Sequence, residues 1–307
     1  MSHRLLAGLA LAALVPALAM AAPKKDVAPP AHLPTNAELT SRSKTAPAGP
    51  VEIAPTEADW RTPDPDNLMV IDTNKGRIII EMYPLLAPAS VAQLKTLTKR
   101  HFYDGLTFFR VVDEFMDQTG DPKNNGEGGS DLPNLKGEFT FKRSADTPWL
   151  TVTSSSAVSV GFMDAMPVAS QPEDLMAMTA DGKVTAWGLY CPAVAAMARA
   201  NDPDSANSQF FLMRDAYPSL TKKYTPWGKI IAGQDVVRSI KVGEPVEAPQ
   251  DRMVTVRLAS DMPPAKRPKI QVLDTRGPAF RSQIAKILAE KNAGFSLCDV
   301  PIATRTN

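Results

Sequence analysis

Histidine and cysteine are scarce in this chain, with three His and two Cys in 307 residues. His3 lies at the start and His32 in a Pro-rich stretch, which leaves His101 as the imidazole in the body of the sequence. A zinc site takes about four ligands, mostly His and Cys, and this composition does not supply them. No metal and no cofactor is expected. Ser-His-Asp and Cys-His schemes need an imidazole base, so either would have to run through His101. An excess of one charge is missing too. The 34 Lys+Arg against 33 Asp+Glu give a formal +1, too weak a field to imply nucleic acid. Beyond residue 21 no apolar run approaches the roughly 20 residues that a membrane span takes.

The first 21 residues read as a secretory signal. Arg4 supplies the positive start, residues 5–20 are almost all apolar, and Ala19-Met20-Ala21 is a small-x-small cleavage site. The expected location is therefore periplasmic, with no span left after cleavage. Export permits a disulfide. Cys191 and Cys298 are the only candidates; a bond between them and two separate thiols both stay open. Proline is abundant, at 28 residues. Nine of these fall in residues 22–66 among Ala, Ser, Thr and scattered charge. That composition lacks periodicity and is expected to form a disordered linker.

The folded body is expected from residue 67. Residues 68–72 and 77–82 are apolar strands around Asn74-Lys75-Gly76, a hairpin signal. Pro88 opens a helix to about Lys99, with Val91, Leu94 and Leu97 on one face. Short apolar runs follow at 108–112, 115–118, 194–198, 209–213 and 227–231, then a short helix at 233–240 and a closing strand at 252–258. Many short strands with two helices point to a mainly β fold closed into a barrel, because closure removes exposed edges.

Three ordered segments carry a family resemblance. Phe108-Phe109-Arg110-Val111-Val112 followed by Phe115-Met116-Asp117-Gln118-Thr119-Gly120-Asp121 closely resembles the signature of the cyclophilins. Met197-Ala198-Arg199-Ala200 with Ser208-Gln209-Phe210-Phe211, and then Tyr224-Thr225-Pro226-Trp227-Gly228-Lys229, are similar to later segments of that family. The resemblance implies an eight-stranded antiparallel barrel capped by two helices, over about residues 67–259. It implies peptidyl-prolyl cis-trans isomerisation, a rotation needing no nucleophile, in accord with the scarcity of His and Cys. Arg110 matches the family's catalytic arginine and Gln118 the glutamine beside it. Phe108, Met116, Phe211 and Leu220 match the proline pocket, and Gln209 the glutamine that contacts the substrate backbone. Gly126, Ala198, Arg199 and Ala200 match groove positions that grip residues preceding the proline. Tyr224 stands at a further groove position. Implied partners are proline-containing unfolded or exported polypeptides, with a monomer expected.

The sequence departs from the pattern at several places. Phe109, Arg199 and Tyr224 stand where many eukaryotic members carry His, Asn and His, and Ser219 where cyclosporin-sensitive members place tryptophan, which implies weak cyclosporin binding with catalysis retained. Residues 142–192 are an insertion relative to compact members. It contains Trp149, Met163, Met166, Met176, Met178 and Trp187, expected as a subdomain with its own small core, the other reading being a Met-lined client-binding lobe. Residues 260–307 form a C-terminal extension with a helix over 279–293, whose Phe280, Ile284, Ile287 and Leu288 make an apolar stripe expected to dock on the barrel. Gly126-Glu127-Gly128-Gly129 lacks the lysine of a phosphate loop and reads as a loop at the groove rim. Asp202 and Asp204 lack calcium-loop spacing and read as a solvated turn. An isomerase that assists folding of exported proteins is the leading reading; the alternative is a non-catalytic chaperone or scaffold holding proline segments in the same groove.

Overall fold

The structure, a computed structural model, describes residues 50–291 and 294–306. The expected signal and most of the Pro-rich stretch lie outside the described residues. Near the beginning of the described part, Trp60–Arg61 form β1. Leu68–Thr73 (β2) and Gly76–Met82 (β3) pair antiparallel as a hairpin. Thr73 Oγ1 accepts from the Lys75 and Gly76 amides and donates to the Gly76 carbonyl, which closes the turn. Gly76 holds φ +145°, and a Cβ there would meet Val236 Cγ2 at 2.8 Å, so both the angle and the space call for glycine. Helix α1 (Pro88–Lys99) buries Val91, Leu94 and Leu97. Its first free amides, Ala89 and Ser90, donate to the Glu138 carboxylate at 2.8 and 2.9 Å. A distant acid thus takes the place of a local cap.

The main sheet continues with β4 (Arg110–Val112), β5 (Met116–Thr119), β11 (Val194–Met197), β12 (Phe210–Met213), β13 (Pro226–Ala232) and β14 (Met253–Leu258). Together with β2 and β3 these make an eight-stranded antiparallel sheet in the order β14-β2-β3-β13-β11-β12-β5-β4. Its interior is one apolar cluster that includes Met69, Ile71, Ile80, Phe108, Phe210 and Trp227. The expected closed barrel is corrected here: the mainly β fold stands, but the ladder is open between β4 and β14. Isolated bridges at Thr107–Arg252 and Val111–Gly243 bring the two flanks together. The strand that would complete the ladder runs through Pro245 and Pro249, which have no N–H to donate. Helix α2 (Gln234–Ser239) precedes that segment.

The insertion is a sheet, built of β6 (Phe141–Arg143), β7 (Leu150–Ser154), β8 (Ser159–Met163), β9 (Met166–Ser170) and β10 (Val184–Gly188). They lie antiparallel in the order β6-β10-β9-β8-β7. The separate small core expected for it is not what forms. Met163, Met166, Val168 and Ala186 join the main cluster, while Leu150 and Phe162 pack with Phe280, Ala279 and Ile284 of helix α3 (Pro278–Lys291). Alternating side chains give a sheet two apolar faces to cover, and here the main sheet's core covers one and the tail helix the other. Met176 and Met178 take no part: the Glu173–Met178 turn has no buried residue.

The linker expected through residue 66 also differs. Strand β1 pairs with β15 (Ile270–Leu273), which pairs with β16 (Thr304–Thr306), so the two flanking segments share one three-stranded sheet. Arg61 clamps the Glu81 carboxylate of β3 with two bonds of 2.6 and 2.7 Å. Tyr83 donates to the same carboxylate and accepts from the Ala165 amide of the insertion. The prolines at 55, 63 and 65 flank this two-residue strand and do not interrupt it. Cys191 and Cys298 are disulfide-bonded across 107 residues, with Cα atoms 5.0 Å apart. Among the described residues no helix is long and apolar enough to cross a membrane.

Candidate active site

The site is built on the β4–β5 pair and the neighbouring β12. Arg110 of β4 stands opposite Gln118 of β5, and Gln118 opposite Phe211 of β12. Register therefore sets these three side by side. Arg110 Nη1 donates to Gln118 Oε1 at 3.3 Å, Gln118 Nε2 donates to Gln209 Oε1 at 2.9 Å, and Gln209 Nε2 donates to the carbonyls of Gly126 and Gly128 at 3.0 and 2.8 Å. This is a directed relay from the guanidinium to the rim loop, with each amide oriented by its neighbours. Met116 Sδ lies 4.0 Å from Arg110 Nη1.

Gly126 owes its place to Asp121, whose carboxylate accepts from the amides of Lys123, Asn125 and Gly126 at 2.8, 3.0 and 2.6 Å. Burial works against that charge, but the amides prevail and hold the carboxyl below its ordinary range. The loop carries φ +92° at Gly126. Beyond it, Ala198, Arg199 and Ala200 line a cavity of about 380 Å³ with Gln118, Gly126 and Gln209. Phe211 meets Tyr224 edge-on at 5.8 Å and stacks with Tyr190 at 6.4 Å. The Arg199 guanidinium lies over the Tyr224 ring at 4.5 Å, held by the Lys223 and Ala200 carbonyls. Leu220 is buried in the same apolar cluster as Phe211.

Of the four residues expected in the proline pocket, Phe108 lies deepest. Phe108 is 0 % exposed and packs inside the main cluster. It precedes β4, and its amide donates to the Asp251 carbonyl at 2.9 Å. Phe115, which adjoins Met116 in the same motif, is a neighbour that the motif reading leaves out. It is half-buried at the β4–β5 turn, with its ring centroid 4.4 Å from that of Tyr217. Glu244 was missed as well: its Oε1 accepts from Arg110 Nε at 2.5 Å. No local pattern announces it, because it arrives from the irregular segment after α2.

The other face of β5 carries a buried pair. Asp117 is 0 % exposed and lies 3.3 Å from Arg214 Nε, while Arg214 also bonds Asp113 and the carbonyls of Val237, Arg238 and Ile240. Burial pushes the Asp117 carboxyl up to about 8, with Arg214 opposing. A folded-state value above the unfolded 3.8 means that the native state binds the extra proton between these pH values. Stability from this group is thus lost as pH rises through about 8. The unfolding midpoint is expected to fall from pH 6 to about 8, and to fall less in Asp117→Asn. Parallel midpoints for the two proteins across that range would refute this.

Comparison with known proteins agrees with this geometry. The model of the cyclophilin-type peptidyl-prolyl cis-trans isomerase family matches residues 68–260. A protein of Brucella suis described as a probable peptidyl-prolyl cis-trans isomerase is 33% identical over 195 residues, covering 60% of this chain and 76% of its own length. A putative peptidyl-prolyl cis-trans isomerase of Staphylococcus aureus is 30% identical over 190 residues, covering 60% of this chain and 84% of its own. The crystal structure of the cyclophilin AquaCyp293 from Hirschia baltica superposes with a TM-score of 0.74 at 33% identity, covering 83% of this chain and 98% of that one. Motif, sheet and family match converge, and the chain belongs to the cyclophilin-type peptidyl-prolyl cis-trans isomerases.

Proposed function

We propose that this isomerase accelerates rotation about X-Pro bonds in exported polypeptides, with Arg110 as the catalytic donor. The observation that carries the assignment of Arg110 is its pattern of partners. Nε is taken by Glu244 and Nη1 by Gln118, while Nη2 has no acceptor among the described residues. The side chain is 36 % exposed, so a ligand can reach the guanidinium.

An X-Pro bond resists rotation with a barrier of about 18–20 kcal/mol because resonance makes it partly double. Twisting it localises a lone pair on the proline nitrogen. A fixed guanidinium edge donates to that lone pair only in the twisted state, which is the differential binding that speeds a reaction. Phe115, Met116, Phe211 and Leu220 offer apolar surface for a ring that has no N–H. Gln209 and the Ala198–Ala200 stretch offer polar main-chain and amide groups for the residues before it. In this reading Phe115→Ala lowers kcat/KM about tenfold, the order of one lost aromatic contact, mostly through KM and with the unfolding midpoint unchanged. Wild-type KM in that variant would remove Phe115 from the pocket.

Export is supported by the signal-like start of the chain and by the Cys191–Cys298 bond, which suits an oxidising compartment. The test has two parts. A protease-coupled assay on an Ala-Pro peptide should show a rate well above background, and a background rate would leave the groove as a holding site without turnover. Cell fractionation with N-terminal sequencing should find periplasmic protein beginning after Ala21; an intact cytoplasmic chain would overturn the location.

A further inference from the structure

The mechanism above leaves Glu244 without a task, and its setting is unusual. It lies far from Arg110 in sequence, is itself 55 % exposed, and directs one carboxylate oxygen at Arg110 Nε. An exposed ion pair is ordinarily a loose one. Here the backbone on both sides is fixed. The Gly243 amide donates to the Val111 carbonyl at 2.9 Å, the Val111 amide to the Gly243 carbonyl at 2.8 Å, and the Val246 amide to the Phe109 carbonyl at 2.9 Å. Gln250 Nε2 donates to the Val246 carbonyl at 2.8 Å. Residues 243–246 are thus laced to both neighbours of Arg110, and the carboxylate is delivered to one spot.

We infer that Glu244 is a positioning residue, which fixes the Arg110 guanidinium by its Nε edge so that Nη2 faces the groove. The proposal rests on the reading of Arg110 as the catalytic donor. A guanidinium presents five N–H donors in a rigid planar fork. One partner on Nη1 leaves the plane free to swing about that contact. The Gln118 bond is long at 3.3 Å, and a swing about it would carry Nη2 off the nitrogen it must meet. A second anchor on Nε, along the other edge, removes that freedom. Among the described residues the Glu244 carboxylate is hydrogen-bonded to Arg110 and to neither relay glutamine, so it acts through Arg110.

The experiment compares wild type with Glu244→Ala, Glu244→Gln, Glu244→Asp and Arg110→Ala. Exchange NMR on an Ala-Pro peptide gives peptide affinity and catalysed exchange rate separately. Glu244→Ala should lower the catalysed rate about tenfold, the kind of loss that slight misplacement of a reacting group causes, with peptide affinity within about twofold. Glu244→Gln, which keeps an acceptor oxygen, should recover part of the rate, and Glu244→Asp, one methylene short, less. The Arg110 Nε–H resonance should move upfield in Glu244→Ala, and the unfolding midpoint should stay put. A Glu244→Ala rate equal to or above wild type overturns the proposal while leaving Arg110 in its role, provided Arg110→Ala is slow. A loss confined to peptide affinity also overturns it, making Glu244 a substrate contact. If Arg110→Ala matches wild type, the catalytic reading falls and this proposal with it.

Discussion

Arg110→Ala is expected to lower kcat/KM on an Ala-Pro peptide by about 10²–10³-fold. That is the range measured when one preorganised donor is removed from a site that stabilises developing charge, about 3–4 kcal/mol. The donor here is preorganised on three sides: β-sheet register opposite Gln118, the Nη1 bond to that glutamine, and the Nε bond to Glu244. Among the described residues no other cationic side chain bonds into the relay, so none stands ready to replace it. The variant should fold normally. Arg110 is half-exposed, and its ion pair with Glu244 lies at the surface, where such pairs contribute little to stability. An unchanged unfolding midpoint with an unchanged rate would remove Arg110 from the mechanism.

The second large effect falls on stability. Cys298→Ser, or reduction of the wild type, is expected to cost about 2–5 kcal/mol. A cross-link closing 107 residues withdraws chain entropy from the unfolded state worth about 4.7 kcal/mol in the loop-closure account. The loop contains β11 to β15 and α3, so the unfolded chain is restrained over much of its length. On the folded side the bond lies beside Leu297 and Val300, which are buried against Phe162 and Phe280. Denaturant unfolding of oxidised and reduced protein should give midpoints that differ clearly, with isomerase activity of Cys298→Ser retained at low temperature. Coincident midpoints would mean that apolar packing alone holds the tail.

Much of the centre of the molecule was legible from local pattern. The 68–82 hairpin is announced by two apolar runs around an Asn-Lys-Gly turn, and α1 by Pro88 and the spacing of Val91, Leu94 and Leu97. The motif order groups Arg110, Gln118 and Gln209, and the hydrogen-bond relay brings the three together. Legibility ends where a distant partner decides. Phe108 and Phe115 both lie within a few residues of Arg110, yet the first is fully buried and the second half-buried. Glu244 reaches the site through backbone bonds to β4 that leave no mark in sequence. The insertion's apolar residues announce buried faces without saying whose core they fill. Proline content hid β1, since a two-residue strand between prolines is visible only once β15 is placed beside it.

The three-stranded sheet of β1, β15 and β16 also has a consequence in time. Trp60 pairs with Leu273, a partner translated more than 200 residues later, which at ordinary synthesis speeds is roughly 10–40 s. β2 waits almost as long on one edge for β14. Among the described residues, the earliest strands are therefore the last to be completed, each with one edge unpaired until its partner is made. The order of the strands in the sheets is thus not their order in time: the partners of β1 and of one edge of β2 are among the last segments made.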